Sequence, residues 1–186
     1  MAAQGSILGN AVTRKEDPGL LTGSNDYVDD LDIESAQIVF VRSTMAHASL
    51  LEVDTSEAVN MPGVLAVYTS DNLGMDAINQ SEFMDPSMNR PPLAVGRVRF
   101  VGDIVAAIVA ESHSQAVDAA EQVIVDYDPL PANADIEAAL GDGADILWEG
   151  AESNVCFAIG NEYDGPDVNE GADAVVSQRI VTQRLA

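Results

Sequence analysis

Residues 97–131 read RVRFVGDIVAAIVAESHSQAVDAAEQVIVDYDPLP, and this stretch decides the fold. Its opening, RVRFV (97–101), is β-branched and aromatic and predicts a strand. Gly102-Asp103 interrupts it and IVAAIVA (104–110) resumes it. The two halves read as one bent strand or a tight pair, with Gly102 at a bulge or turn. Ser112 followed by Gln115 is a capping box. Behind it Ala116, Ala119, Ala120 and Val123 fall on one helical face. VIVDYD (123–128) is the next strand, closed by Pro129 and Pro131. A strand–helix–strand run of this kind lays a helix on a sheet.

Upstream, QIVFVRS (37–43) and ASLLEVD from Ala48 predict two strands. Asp54 with Glu57 opens a short helix through TSEAVN, which Pro62-Gly63 ends. VLAVYTS (64–70) is a third strand, and further on Asp135 caps a short helix, IEAAL (136–140). The order is β-β-α-β, a long loop, then β-β-α-β-α. This is an α+β domain of mixed strands with two or three short helices, expected over residues 27–140. Residues 1–26 are expected as an N-terminal extended segment, with Leu20 and Leu21 tucked down. The loop, 71–96, is expected to be functional or to contact a partner, and its Met75, Met84 and Met88 to form an adaptable contact surface or to fill the core. Residues 141–173 are polar and acidic and read as linker. Residues 174–186 alternate like a strand. An unpaired strand leaves an open edge, so a truncated further domain is expected there.

The 186 residues carry a net charge of −23, and Lys15 is the only lysine. Phosphates and anionic lipid surfaces repel such a chain, which argues against nucleic acid as a partner. The 47% hydrophobic content argues against a disordered acidic tail. Acids spread along the whole chain read as a solvated surface suited to high salt. The N-terminus lacks the pattern of a signal peptide. The longest apolar run, 104–110, is far too short for a membrane span. A soluble, cytoplasmic protein is expected.

Cys156 is the sole cysteine, which excludes an internal disulfide and a cysteine-based cluster. Its neighbours Val155, Phe157 and Ala158 predict an inert, partly buried thiol. The two histidines are far apart in sequence. His47 is expected at a turn or interface, and His113 at a helix start. Asp29-Asp30 and Asp126/Asp128 are paired carboxylates, read as caps and surface charges. The acidic run 164–173 lacks the ligand order of a calcium loop. No glycine-rich phosphate loop is present. Asn79–Ser81 matches a glycosylation pattern, taken as chance without a secretion signal. The residues themselves therefore nominate no catalytic, cofactor-binding or metal-binding side chain.

Three stretches in order nevertheless resemble a known family. The first has Arg14, Glu16-Asp17, Leu21-Thr22-Gly23, Tyr27 and Asp29-Asp30. The second has Arg42-Ser43, Ala46-His47-Ala48, Pro62-Gly63-Val64 and Ala66-Val67 with Thr69. The third has Pro92-Leu93-Ala94, Val98 to Gly102, and Val123 to Pro131. Together they resemble the N-terminal region of the large subunit of molybdenum hydroxylases, which include carbon monoxide dehydrogenases, xanthine dehydrogenases and aldehyde oxidoreductases. Two places depart from the family pattern. Ser43-Thr44-Met45 stands where the family often has Ser-Pro, and Gly102-Asp103-Ile104 where it often has Gly-Glu-Pro.

The resemblance implies an α/β hammerhead domain. It implies a non-catalytic front part of a molybdopterin-dependent oxidoreductase that acts on an aldehyde, an N-heterocycle or carbon monoxide. The molybdenum cofactor would belong to the complete subunit, with iron–sulfur clusters and FAD on partner subunits or domains. It implies that residues 174–186 begin the cofactor-binding domain, and that the hammerhead braces that domain and subunit contacts in an oligomeric complex. The alternative is a stand-alone hammerhead module that binds or scaffolds without activity, since fold alone does not carry function.

Overall fold

The computed structural model describes residues 13–31, 33–78, 81–160 and 164–180. Six strands and four short helices are present among them. The strands are β1 (Gln37–Arg42), β2 (Ala48–Asp54), β3 (Val64–Thr69), β4 (Arg97–Val98), β5 (Ile104–Ala110) and β6 (Ile124–Pro129). The helices are α1 (Asp17–Thr22), α2 (Ser70–Leu73), α3 (His113–Ala120) and α4 (Ile136–Leu140). Each strand predicted between residues 37 and 128 has a counterpart. The helices number four, and α1 lies in a segment expected to be extended.

The strands form two antiparallel three-stranded sheets, ordered β1-β5-β3 and β4-β2-β6. This corrects the reading of residues 97–110. The segments before and after Gly102 are neither one bent strand nor a pair, because β4 joins β2 while β5 runs between β1 and β3. Gly102 makes the transfer with φ +91, a conformation that favours glycine. The Asp103 carboxylate accepts the Arg99 N–H at 3.1 Å and closes the turn. The Ser43 N–H donates to the Asp103 carbonyl and the Gly102 N–H to the Ser43 carbonyl, each at 2.8 Å, so the chain just past β1 holds the turn.

In the first sheet β1 alternates regularly, and Val39 and Val41 face α3 beside Ile108 and Ala110 of β5. From α3 come Ala116 and Ala119, both fully buried. Alanine here lets the helix backbone approach the sheet closely, and β5 is buried along almost its whole length. The Ser112 side chain caps α3 by accepting the Gln115 N–H, as the capping box predicted.

The second core joins Ala48, Ala94, Val98 and Val105, with Leu50, Val53, Val125 and Tyr127 packed against it. Val105 belongs to β5, so one end of the first sheet meets the inner face of the second. The outer face of the second sheet carries acidic residues beside the exposed Leu51 and Ile124. Glu52 stands opposite Asp126, and Ser49 opposite Asp128.

The expected helix after Asp54 is only a 3-10 turn, Ala58–Asn60. Asp54 accepts the Ser56 N–H at 2.9 Å, as an N-cap would, but no α-helix follows. At the other end of the chain, Asp135 caps α4 as expected, accepting the Glu137 and Ala138 N–H groups. Leu20 and Leu21 are not tucked down: Leu21 is 87% exposed. Residues 174–180 form no strand, and 181–186 lie outside the described residues.

By internal contacts the chain divides into two units, Met1–Asp76 with Pro91–Ala132, and Ala77–Arg90 with Asn133–Ala186. Both sheets and α3 belong to the first. In the second, Asn154 ties the polar stretch together. Its side-chain N–H₂ donates to the Ala139 and Asp145 carbonyls, and its Oδ1 accepts the Leu147 N–H. Arg179 pairs with Glu137 at the surface.

Candidate functional site

The residues singled out from sequence are scattered, with one informative exception. His47 sits in the bend between β1 and β2 and is only 6% exposed. Its Nδ1 lies 2.7 Å from the Pro131 carbonyl oxygen. A carbonyl can only accept, so Nδ1 is the donor in this contact. The ring's Nε2 is buried and has no hydrogen-bond partner. The Leu130 N–H returns to the His47 carbonyl at 3.0 Å. His47 thus latches the Pro129–Pro131 end of β6 to the start of β2. Its placement fits a packing histidine.

His113 is exposed at the first position of α3. Cys156 is half-buried, and its carbonyl accepts the Asp85 N–H. Asp30 caps a 3-10 turn by accepting the Tyr27 N–H at 2.8 Å, while the Asp29 side chain lies outside the described ones. Asp126 and Asp128 are exposed on β6. Asn79 lies outside the described residues. Among the loop methionines Met88 is buried, Met84 half-buried and Met75 exposed. One therefore fills a core, and Met75 is open to a contact.

Two carboxylates carry a clear perturbation. The Ser87 hydroxyl and N–H, at 2.7 and 2.9 Å, hold Asp85 below its ordinary carboxylate range. The Ser56 backbone N–H does the same to Asp54, aided by that serine's side chain. Hydrogen bonds to the ionised form are the cause in both cases. Both are turn caps, because each bond closes a loop of two residues.

Sequence reasoning missed the buried Ser43 and Asp103, which hold the turn between the sheets. It also missed Arg42, whose guanidinium lies 5.6 Å from the centre of the Phe40 ring. Gly102-Asp103 was visible only as an interruption, and the pairing of Arg42 with Phe40 shows only as residues two apart on one face of a strand.

Among the described residues no group of three histidine, cysteine, aspartate or glutamate side chains stands close enough to hold a metal ion. The donor set does not fit a molybdenum centre: one half-buried thiol, one histidine held by Pro131, another exposed at the start of α3, and carboxylates that cap turns or stand apart in solvent. No helix among them is long and apolar enough to cross a membrane.

A buried β5 flanked by β1 and β3 under α3, beside a second sheet centred on β2, is the architecture of the hammerhead domain. The family described as aldehyde oxidase and xanthine dehydrogenase, a/b hammerhead domain, matches residues 22–131. The chain belongs to that family. Its relatives include the 6-hydroxypseudooxynicotine dehydrogenase complex subunit gamma of Paenarthrobacter nicotinovorans, 38% identical over 95% of this chain and 23% of that protein. The carbon monoxide dehydrogenase large chain of Afipia carboxidovorans is 35% identical over 92% of this chain and 22% of its own length. Among solved structures, the aldehyde oxidoreductase of Desulfovibrio gigas aligns with TM-score 0.69 and 32% identity, over 84% of this chain and 18% of that one. Quinoline 2-oxidoreductase from Pseudomonas putida 86 aligns with TM-score 0.61 and 39% identity, over 75% and 18%. The chain thus spans about a fifth of the length of the relatives it matches.

Proposed function

We propose that these residues form the non-catalytic front part of the large subunit of a molybdenum hydroxylase-type oxidoreductase. The complete enzyme would act on an aldehyde, an N-heterocycle or carbon monoxide in the cytoplasm. The observation that carries this reading is the continuous match across 22–131 to the hammerhead domain, with 95% of the chain aligned on one end-to-end relative. The molybdenum cofactor would supply the oxygen-transfer chemistry from elsewhere in the subunit. Iron–sulfur clusters and FAD on partners would take up the electrons. No step of the reaction is assigned to a side chain of this segment.

Its own work is mechanical: it braces the cofactor domain and contributes subunit contacts. Residues 174–186 lead into that domain in this reading, and 141–173 connect it to the hammerhead. The exposed Phe83 and Ile78 of the long loop are the candidate contact side chains. Both are large apolar groups in water, and such patches mark interaction sites.

Deletion of residues 37–131 from the chromosomal gene tests the reading. The expected result is loss of the assembled, molybdenum-containing hydroxylase. Unchanged hydroxylase assembly and activity would favour a stand-alone scaffold module instead.

A further inference from the structure

The sheet β1-β5-β3 has two faces, and α3 covers one. On the other, the register aligns Ile38 with Val109 and Val109 with Ala66, while Phe40 and Tyr68 flank Ala107. Sheet two covers this face only at its Val105 end. Ile38 is 51% exposed, Phe40 39% and Tyr68 36%. None of these side chains is charged, although the whole chain carries −23. The outer face of the other sheet is mixed, with Glu52, Asp126 and Asp128 exposed beside Leu51 and Ile124.

Arg42 closes the apolar patch at the end of β1. Its guanidinium lies over Phe40, and Nη1 donates to the Gly102 carbonyl at 2.9 Å. No carboxylate of the described residues pairs with it, in a chain with 31 acidic residues. A cation laid on an aromatic ring beside uncharged residues is a pattern enriched in interfaces.

We propose that this face docks on the remaining polypeptide of the large subunit, through an apolar segment that brings a carboxylate to Arg42. The inference rests on the reading of the chain as the front part of that subunit, and names the face it uses. The occupant follows from two observations. The relatives devote about four-fifths of their length to polypeptide that this chain does not match. A second copy is disfavoured, because two bodies of −23 repel each other and neither offers an acidic group on this face.

Hydroxyl-radical footprinting of the native assembly, purified through this chain, reads the face directly. Phe40, Tyr68 and Ile38 should be oxidised about tenfold more slowly than their intrinsic reactivity and exposure here would give, as in the core of an interface. Oxidation at the rate set by their present exposure, in an assembly that does contain further polypeptide, overturns the docking face and leaves the subunit reading intact. Recovery of the chain with no further polypeptide overturns both. Phe40→Asp should also lower the yield of assembled enzyme, while Ile124→Asp on the other sheet should not. Equal yields from the two variants would overturn the docking face.

Discussion

His47 shows how one side chain can be informative in sequence and structural in role. A lone histidine between two strands invites a catalytic reading, yet its Nδ1–H is committed to Pro131. The His47→Ala variant should lose about 1–3 kcal/mol of stability, the cost of a broken buried hydrogen bond. Urea unfolding at neutral pH measures it, and a midpoint equal to the wild type would contradict the latch. The carboxylates set a second residue-scale prediction. Folding lowers the pKa of Asp85 through the Ser87 hydroxyl and N–H, and that of Asp54 through Ser56. A lowered folded value means the ionised form is favoured by folding. The contribution is present above the unfolded value, ordinarily 3.8, and is lost as pH falls through the lower folded value. The D54N/D85N double variant should therefore lose stability less steeply than wild type below pH ~4. Identical slopes in acid unfolding would contradict the assignment. These residue roles were only half legible beforehand. Asp135 as a cap was plain because its acceptor and donors are neighbours in sequence. The partner of His47 lies across the fold, on Pro131, so no local pattern announces it.

At the scale of elements, local signals succeeded and long-range pairing was silent. β1, β3 and β6 follow from alternation, and α3 from Ser112, Gln115 and its alanine face. Alternation cannot say which sheet a strand joins. RVRFV and IVAAIVA therefore looked like one unit, although Gly102 sends them to different sheets. The predicted helix after Asp54 is a single 3-10 turn. Leu21 in α1 is exposed, although its apolar pair with Leu20 reads in sequence like a buried one. Gly63 offers a test at this scale. It has φ +80, and a Cβ there would collide with the Gln115 side chain beside the start of α3. Gly63→Ala should destabilise by about 1–2 kcal/mol, the cost of a left-handed L-residue. A melting temperature unchanged from wild type would show that the β3 entry tolerates another conformation.

For the whole molecule, the charge of −23 is the dominant fact. Self-repulsion of that size opposes compaction and is screened by salt. The urea midpoint should rise steadily as sodium chloride is raised from low millimolar to the molar range. A flat response would mean that the acids are already compensated in the folded state. Fold class was legible from the order of strands and helices. What no sequence pattern could supply is the face by which the domain is held, since an exposed Phe40 and a buried one read alike.

The most direct test of the central claim is the mass and molybdenum content of the native species that carries residues 37–131, isolated intact from its source. The account predicts an assembly far heavier than 19.6 kDa with molybdenum bound. A molybdenum-free species of 19.6 kDa, without partners, would contradict it.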